Sequence, residues 1–421
     1  MTTQTSLVAD CVAGYAARLH AVIGATHHVA SALGAWLLLA LAAPASTGAD
    51  RDTLTEVLGC DVGTAAGAAA DLLAHPHPVV ASAAALWRSS GLELSPGFAR
   101  WRSELPPQVS VGDLPGQAGL DRWVREHTFG LIDRFPLSAD GMYLVLASAL
   151  ATKVSWTIPF DLAPAASLGS ASPWATRLRQ VLRTPREGDH IQYIAITPDA
   201  GDVIVHAARA SGGLLVVSVA AAPEVPASTV LAVAHRISIQ QATGQTVQCR
   251  RLTDLALGEG PLWLLREVTA TADACVAVLP AWSANSSHNL RHPSLGFAAA
   301  KNAIAPGPDP WQARQSAMAR YSRTGFEAAA ATAIGIELAM RPSGRRREAE
   351  LRFAHPYAAV AIATDPQGSG QGGSAGQGRD AGQSGGGRAS HGAWYGLPVF
   401  SAWVSEPADA ADDGASAGAP Q

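Results

Sequence analysis

Residues 321–340 read YSRTGFEAAAATAIGIELAM, a stretch that fits both a helix and a strand. Its run of alanines favours a helix, but Thr332, Ile334 and Gly335 weaken that interpretation. In a strand, by contrast, successive side chains alternate between two faces. One face would hold Phe326, Ala328, Ala330, Thr332, Ile334, Ile336 and Leu338, and the other Glu327, Ala329, Ala331, Ala333, Gly335 and Glu337.

The strand interpretation separates apolar from charged residues completely. Every residue on the first face is apolar or threonine, and both carboxylates share the opposite face. This alternation is typical of a half-buried strand, although alanine has little intrinsic preference for strands. The pattern predicts a segment that is a loop in one state and a strand once it enters a sheet. An ordinary helix remains the alternative.

The residues before position 140 are predicted to form helices. The uncharged run VASALGAWLLLALAAPAS fits a helix that is buried on all sides. Thr53 and Glu56 have the spacing of a capping box, which predicts a helix start there. The predicted helices cover residues 6–22, 29–46, 53 onward, 65–74 and 119–135.

Strands dominate from residue 143 onward. The run YLVLASALATKVSW at 143–156 is apolar on both faces, as expected for a central strand of a large sheet. Helices followed mostly by strands, without regular alternation, indicate an α+β fold. Further strands are predicted at residues 190–198, 202–208, 213–222, 275–284, 359–364 and 399–404.

Composition excludes several classes of protein. The chain has 421 residues and is 48% hydrophobic, which is enough for a large core. A net charge of −4, with a longest basic run of only residues 345–347, argues against nucleic-acid binding. Residues 29–46 just reach the length of a membrane span, but we interpret them as a core helix and expect no membrane. Residues 1–28 lack the apolar segment of a signal peptide, so we expect a cytoplasmic protein, with an extracellular one as the alternative.

No motif announces an enzyme, a metal site or a cofactor. The four cysteines, Cys11, Cys60, Cys249 and Cys275, form no CxxC pair and no zinc spacing, so we expect buried free thiols. GxSxG matches occur only in Gly-rich segments, where the strand–turn–helix elbow of a hydrolase cannot form. We therefore predict a protein that is not an enzyme.

Several segments, in order along the chain, resemble the serpin family. GFEAAAATA at 325–333 resembles the serpin hinge, and LRFAHPY at 351–357 is similar to the signature that follows the reactive loop. The strand at 144–160 and the stretch LPAWSANSS at 279–287 are similar to two further serpin strands. Weaker similarities near both ends extend the resemblance over most of residues 6–407.

The resemblance implies a fold and a mechanism. The fold would be an α+β serpin fold with three β-sheets, about nine helices and an exposed reactive loop. Residues 1–407 would form the serpin domain, with 367–393 as a Gly-rich disordered insert between two C-terminal strands and 408–421 as a disordered tail. The function would be inhibition of serine proteases as a suicide substrate, in which the cut loop inserts into the central sheet. A non-inhibitory serpin with a binding or structural role is the alternative.

The same resemblance assigns the site residues. The sheet-opening region would comprise Ser31, Ser148, Lys153, Trp156 and Gln315. The reactive-loop hinge would comprise Gly325, Phe326, Glu327, Ala328, Ala329, Ala330, Ala331, Thr332 and Ala333.

The sequence departs from the family at positions that control insertion. Phe326 stands where the family usually has Thr or Ser, so a bulky side chain must be buried first. Gln315 takes the place of a His beneath the opening sheet, Ser148 that of its Asn partner, and Gly34 that of a nearby Ser. These changes predict altered hydrogen bonds where the sheet opens.

Family spacing places the scissile bond between Ala339 and Met340, after Leu338. Small and apolar residues there suit an elastase-, subtilisin- or chymotrypsin-like serine protease. A bond after Met340, or within residues 345–347, is the alternative. We expect a monomer whose partner is the protease.

Overall fold

A computed structural model describes residues 4–89, 96–142, 144–186, 188, 190–306, 311–326, 344–365 and 391–410. This part of the chain contains eight α-helices: α1 Gln4–Ile23, α2 Ala32–Ala42, α3 Gly48–Leu58, α4 Val62–Ala74, α5 Pro96–Glu104, α6 Gln117–Glu126, α7 Ala227–Ala242 and α8 Phe297–Ile304.

The same part contains nineteen strands. They are β1 His28–Ala30, β2 Val80–Arg88, β3 Ser110–Asp113, β4 Leu144–Thr152, β5 Val154–Ser155, β6 Asp161–Pro164, β7 Gln180–Arg183, β8 Ile191–Thr197, β9 Gly201–Ala210, β10 Leu214–Ala220, β11 Gly258–Glu259, β12 Trp263–Ala270, β13 Ala274–Leu279, β14 Trp282–Asn289, β15 Arg314–Tyr321, β16 Gly325–Phe326, β17 Gly344–Arg352, β18 Tyr357–Ala363 and β19 Pro398–Val404.

The apolar run near the N-terminus forms the central helix α2. All of its residues are buried, as expected for a helix that is hydrophobic all round. Ser31 caps it, because its hydroxyl accepts a hydrogen bond of 3.1 Å from the Gly34 N–H. The preceding residues do not extend the helix, since β1 pairs antiparallel with β19. The prediction of a buried helix is therefore confirmed, over a shorter range.

The adjacent helix α1 is long and apolar enough, over Ser6–Ile23, to cross a membrane, and 44% of that stretch is buried in the fold. The bent pair of α3 and α4 passes the same test only if both helices are counted as one span. Core helices of soluble proteins also pass this test, so length and composition are weak support for a membrane span.

Three local predictions are wrong for identifiable reasons. α3 begins at Gly48, and the Thr53 hydroxyl donates to the Ala49 carbonyl instead of capping a helix start. The alanine-rich β2 lies in the region predicted to be helical, because it pairs along its whole length with β4. The run at 275–284 is two strands in different sheets, which separate at Pro280 because proline cannot donate to a ladder.

Two six-stranded sheets form much of the core. Their strand orders are β1-β19-β18-β10-β9-β8 and β11-β12-β17-β13-β7-β6. Every residue of β10, β18 and β19 is buried, which explains their continuous apolar sequences.

The remaining strands form one sheet with an interruption. β14-β15-β16-β5 and β3-β2-β4 are separate in hydrogen bonding, but β4 continues directly into β5 through Lys153. The described residues thus form four hydrogen-bonded sheets where three were predicted, because the third is split between β4 and β15.

The C-terminal segments also differ from the predicted boundaries. Ala408 donates a backbone hydrogen bond of 2.7 Å to Ala281, and Asp409 accepts one of 2.8 Å from the Arg179 N–H. Asp365, just before the predicted insert, forms an ion pair of 2.6 Å with His391, which lies near the end of that insert. Residues 366–390 and 411–421 lie outside the described part.

Four histidines cluster where α1, β1, α7 and β14 meet. His20 Nδ1 lies 2.7 Å from His28 Nε2, and the His288 ring is 5.9 Å from the His28 ring. His235 is fully buried beside His20, and neither of its ring nitrogens has a hydrogen-bond partner among the described residues. Burial lowers the pKa of His28 and of His235 to about 4. Burial, together with the neighbouring rings, also lowers the pKa of His20 well below its ordinary value.

The cluster predicts a loss of stability at acid pH. His28 and His235 bind a proton near pH 6.5 in the unfolded state and near pH 4 in the folded state, so their contribution to stability is complete above about pH 6.5 and is lost as the pH falls towards 4. His235 alone should lower the free energy of unfolding by about 3 kcal/mol across that pH window. In thermal melts at pH 7.5 and 4.5, His235→Leu should reduce the fall in Tm, whereas exposed His75→Leu should not. An equal fall in both variants would contradict this origin.

Candidate functional site

The interruption in the third sheet is a cavity between two strands. β4 and β15 run in the same direction, because β16 is antiparallel both to β15 and to β5. Within the described residues no backbone pairing joins β4 to β15. The space between them, which we call the slot, has a volume of about 500 Å³. Its apolar lining includes Leu38, Leu144, Leu146, Leu150, Leu290 and Phe297.

The chain already enters one end of the slot. β15 ends at Tyr321, and two residues of the predicted hinge return as β16. Gly325 pairs with Ser155, and Phe326 pairs with Val154 on one side and with Tyr321 on the other. β16 therefore occupies the position of a strand between β5 and β15.

A tight turn fixes this arrangement at the mouth of the slot. The Ser322 N–H and hydroxyl both donate to the Gly325 carbonyl at 3.0 Å. Trp156, predicted to lie in the sheet-opening region, holds the same turn from the opposite strand. Its indole N–H donates to the Ser322 carbonyl at 2.9 Å and its backbone N–H to the Thr324 carbonyl at 3.0 Å.

Phe326 is buried in an aromatic cluster. Its ring lies edge-on to Trp282, with centroids 6.2 Å apart, and only 3% of the residue is exposed. Trp282 stacks on Tyr321 at 5.9 Å, and Tyr321 in turn packs against Trp156 at 4.9 Å and Phe160 at 5.7 Å. The bulk of Phe326 is thus accommodated in the uncut chain, because aromatic neighbours from three segments surround it.

Three of the predicted sheet-opening residues meet at the base of the slot. Gln315 on β15 accepts from the Ser31 N–H at 3.0 Å and donates to the Ser31 carbonyl at 2.7 Å. Ser148 on β4 donates to the Gly34 carbonyl at 2.9 Å. The side chains of Gln315 and Ser148 each bind the start of α2 and, within the described residues, not one another. The two walls of the slot are therefore anchored separately to one helix.

The base leaves little room above α2. A Cβ atom added to Gly34 would lie 3.3 Å from Leu150 Cδ1 and 3.4 Å from Ser148 Oγ. A larger side chain at position 34 would therefore press against β4, which is one wall of the slot. Lys153, the remaining sheet-opening residue, lies away from the base, exposed between β4 and β5.

The rest of the predicted loop falls outside the described residues. This applies to Glu327, to residues 328–333 of the hinge, and to the scissile-bond candidates Ala339 and Met340. In the described ranges, no group of three or more His, Cys, Asp or Glu side chains could hold a metal ion.

The alternative scissile site at residues 345–347 is wrong. These arginines belong to β17 and pair with β12 from Thr269 to Glu267. The Arg347 guanidinium also donates to the carbonyls of Leu252 and Leu255, both at 2.7 Å. A segment held in a sheet in this way cannot lie extended in a protease cleft.

β17 is further held by two buried carboxylates. Glu348 is 1% exposed and pairs with Arg186 at 2.7 Å and with Arg266. Glu350 is 5% exposed and pairs with Arg183 at 2.8 Å. Beyond the loop the chain thus enters β17. Separating β17 from its neighbours would leave the buried carboxylates of Glu348 and Glu350 without their arginine partners.

The sequence interpretation assigned no role to several of these residues. Trp282 lay in a segment interpreted as one strand, and Tyr321 lay inside the quoted loop without a function. Glu348 and Glu350 alternate with apolar residues in the pattern of an exposed strand face. Their arginine partners are distant in sequence. The alternating glutamates could have indicated buried ion pairs only if the pairing of β17 with its neighbouring strands had been known.

Known structures share this architecture, although no protein family model and no curated protein matches the chain. Tengpin, a thermophilic serpin in its native state, superposes with a TM-score of 0.62 at 11% identity, over 96% of this chain and 94% of that one. Human thyroxine-binding globulin complexed with thyroxine gives a TM-score of 0.60 at 12% identity, over 97% of this chain and 99% of that one.

Serpin48, a highly specific serpin of the insect Tenebrio molitor, gives a TM-score of 0.57 at 14% identity, over 94% of this chain and 97% of that one. The likeness covers nearly the whole of each chain, so the chain has the serpin fold, as the sequence resemblance implied. At these identities the likeness shows the fold alone. The fold is shared by proteins described as serpins and by a globulin that binds thyroxine.

Proposed function

We propose that this protein inhibits serine proteases as a suicide substrate. The observation that carries the proposal is the slot between β4 and β15 with β16 at its mouth. A strand cannot be added to the middle of a paired sheet, whereas this sheet is unpaired at one position and a strand has begun there. Cleavage of the chain beyond β16 would free it to continue into the slot.

We extend the existing register to the hinge residues. Continuing the pairs of Phe326 with Tyr321 and Val154 in antiparallel order would put Ala328 between Thr152 and Ala319. Ala330 would then lie between Leu150 and Ala317, and Thr332 between Ser148 and Gln315. The small side chains of the hinge would thus fall on the inner face of the sheet, towards α2.

The outer face receives the charged residue. In the same register Glu327 would lie opposite exposed Lys153 on one strand and Arg320 on the other. A carboxylate there remains close to two cations and to solvent. This agrees with the alternation of the sequence, which places Glu327 on the face opposite Ala328 and Ala330.

The proposed mechanism depends on the length of the slot. The protease serine would attack the carbonyl of Ala339, forming an ester and releasing the amine of Met340. The acylated end would then move with the inserting strand. The eight residues of β15, at about 3.3 Å per residue, correspond to a displacement of the acylated end by roughly 25 Å or more. We propose that this displacement pulls the protease active site out of shape before water hydrolyses the ester.

The target and setting are proposals of the same kind. Leu338, Ala339 and Met340 suit an elastase-, subtilisin- or chymotrypsin-like enzyme with an apolar specificity pocket. We propose a monomer that acts in the cytoplasm, and the alternative site of action is outside the cell.

The test is the formation of a covalent complex. Elastase, subtilisin and chymotrypsin should each be mixed with the protein and run on a denaturing gel after boiling. At least one is expected to give a band near the sum of the two chains minus the fragment that begins at Met340. The same protease with its catalytic serine replaced by alanine should give no band. Cleaved protein without any complex, across the whole panel, would overturn inhibition.

A non-inhibitory binding or structural role is the second candidate. The double hydrogen bond from Gln315 to Ser31 supports it, because it ties β15 to α2 and resists widening of the slot. The similarity in fold to thyroxine-binding globulin also shows that this scaffold can carry a small-molecule ligand. A protein that is cut in its loop without forming a complex or gaining stability would belong to this class.

A further inference from the structure

Two of the cysteines lie against each other at the contact between α1 and the turn that joins α3 to α4. Cys11 lies within α1, and Cys60 follows Gly59, the left-handed residue at which α3 ends. Cys60 is one of only three residues between the helices, because α4 begins at Val62 with Asp61 as its N-cap. The cysteines are thus far apart in sequence and adjacent in the fold.

The backbones approach closely at this point. A Cβ atom added to Gly59 would lie 3.6 Å from Cys11 Cα and 3.5 Å from Cys11 Sγ. The Cys11 thiol lies 3.4 Å from the Gly59 carbonyl, and the Cys11 and Cys60 thiols are themselves in hydrogen-bond contact. A disulfide needs Cα atoms within about 7 Å and Cβ atoms facing one another. Gly59 itself has a φ of 75°, a left-handed conformation that favours glycine at the end of α3.

The contact is held in register by other groups. The Trp36 indole donates to the Leu58 carbonyl at 3.1 Å, which fixes the end of α3. Arg18, two turns beyond Cys11, forms an ion pair of 3.2 Å with Glu56. Asp61 accepts from the Thr64 N–H at 2.9 Å, which fixes the start of α4. The turn that bears Cys60 is therefore anchored on both sides.

We propose that Cys11 and Cys60 are a redox pair, which is a dithiol under reducing conditions and a disulfide that ties α1 to the α3–α4 turn under oxidising ones. All four cysteines are free thiols, as the sequence predicts, although Cys249 is exposed and not buried, and the proposal concerns what Cys11 and Cys60 become on oxidation. Cys60 is partly exposed and Cys11 is buried, so an oxidant meets Cys60 first and Cys11 resolves it.

The chemistry balances with a small disulfide such as oxidised glutathione as the oxidant. The Cys60 thiolate attacks one glutathione sulfur and displaces a glutathione thiolate, which takes up a proton. Cys11 then loses its proton and attacks the Cys60 sulfur, and the second glutathione leaves. One protein disulfide forms, and one oxidised glutathione becomes two reduced molecules.

Burial slows this exchange. It raises the pKa of Cys60 to about 12 and also raises the pKa of Cys11. Few thiolates are present near neutral pH, so we expect the exchange to take place slowly.

The test is peptide mapping of the whole protein after equilibration with oxidised glutathione, alkylation and digestion with trypsin. Cleavage at the arginines gives residues 1–18, which contain Cys11, and residues 52–88, which contain Cys60. These peptides are expected as one cross-linked species that separates on reduction. The oxidised protein should also melt roughly 5 °C higher than the reduced one.

Two variants serve as controls. Cys249→Ser, at an exposed cysteine, should leave both the cross-link and the higher Tm in place. Cys60→Ser should abolish both. The map of the unmodified protein needs no variant, so poor folding of Cys60→Ser would not obscure the result. Free Cys11 and Cys60 in protein whose Cys249 carries glutathione, or glutathione on Cys60 that never transfers to Cys11, would overturn the proposal.

Discussion

Ala330→Glu should convert the inhibitor into a substrate, whereas Ala329→Glu should leave inhibition largely intact. The two positions are adjacent in sequence, so in a strand that continues the register of β16 they would lie on opposite faces. A carboxylate introduced at position 330 would face Leu150 and Ala317 over the closed base of the slot. A carboxylate introduced at position 329 would face outward, on the same face as Lys153 and Arg320.

The expected difference is large because an inserted carboxylate on the inner face is buried without a partner. A cost of about 3 kcal/mol corresponds to a roughly hundredfold fall in the ratio of covalent complex to cleaved protein. A carboxylate at position 329 would stay hydrated and close to two cations. The ratio of covalent complex to cleaved protein for Ala329→Glu should therefore stay within a few-fold of that for the unmodified protein.

The measurement is the ratio of complex to cleaved product on a denaturing gel, for both variants against the same protease. The initial rate of cleavage by a catalytic amount of protease provides the control, because both loops should be cut equally fast. Equal complex formation by the two variants would mean that the strand does not insert in this register.

A single cut near residue 339 should raise Tm by roughly 10 °C. Insertion would bury Ile334, Ile336 and Leu338, each contributing about 1.5–3 kcal/mol, and would fill the cavity of about 500 Å³ between β4 and β15. For a domain of this size, about 1 kcal/mol moves Tm by roughly 2 °C.

Two matched controls separate insertion from cleavage itself. An engineered protease site within residues 367–393 should give cut protein with an unchanged Tm, because the described strands that flank this segment, β18 and β19, are already paired with each other. Cut Ala330→Glu protein should likewise melt at the temperature of its uncut form. If the protein cut at residue 339 melts no higher than the intact protein, the slot is not a receptor for the loop and the proposed mechanism fails.

Local sequence is a sound guide where burial is continuous. The apolar run that forms α2 is recognisable because nothing polar interrupts it, and β10, β18 and β19 are recognisable for the same reason. The alternation of the loop also agrees with Phe326, whose side chain is buried in the core.

The features that local sequence misses depend on partners far away in the chain. β2 resembles a helix until β4 pairs with it. Residues 345–347 resemble a solvated loop until β12 pairs with them. The split between β4 and β15 has no local signal, because the sequence of each strand is that of a strand in a paired sheet. It is recognised only from the absence of backbone hydrogen bonds between these two described strands. The contact between Cys11 and Cys60 likewise depends on the packing of α1 against a turn almost fifty residues away.

The two paired residues of β16 have a kinetic consequence. Bringing a free chain end to its binding groove normally requires closing a loop, with an entropic penalty for the search. We propose that this nucleation step precedes any encounter with a protease, because Gly325 is already paired with Ser155, and Phe326 with both Val154 and Tyr321. After a cut, the strand would only have to add successive residue pairs. The competition with ester hydrolysis would then depend on the rate of that addition and not on an encounter between strand and slot.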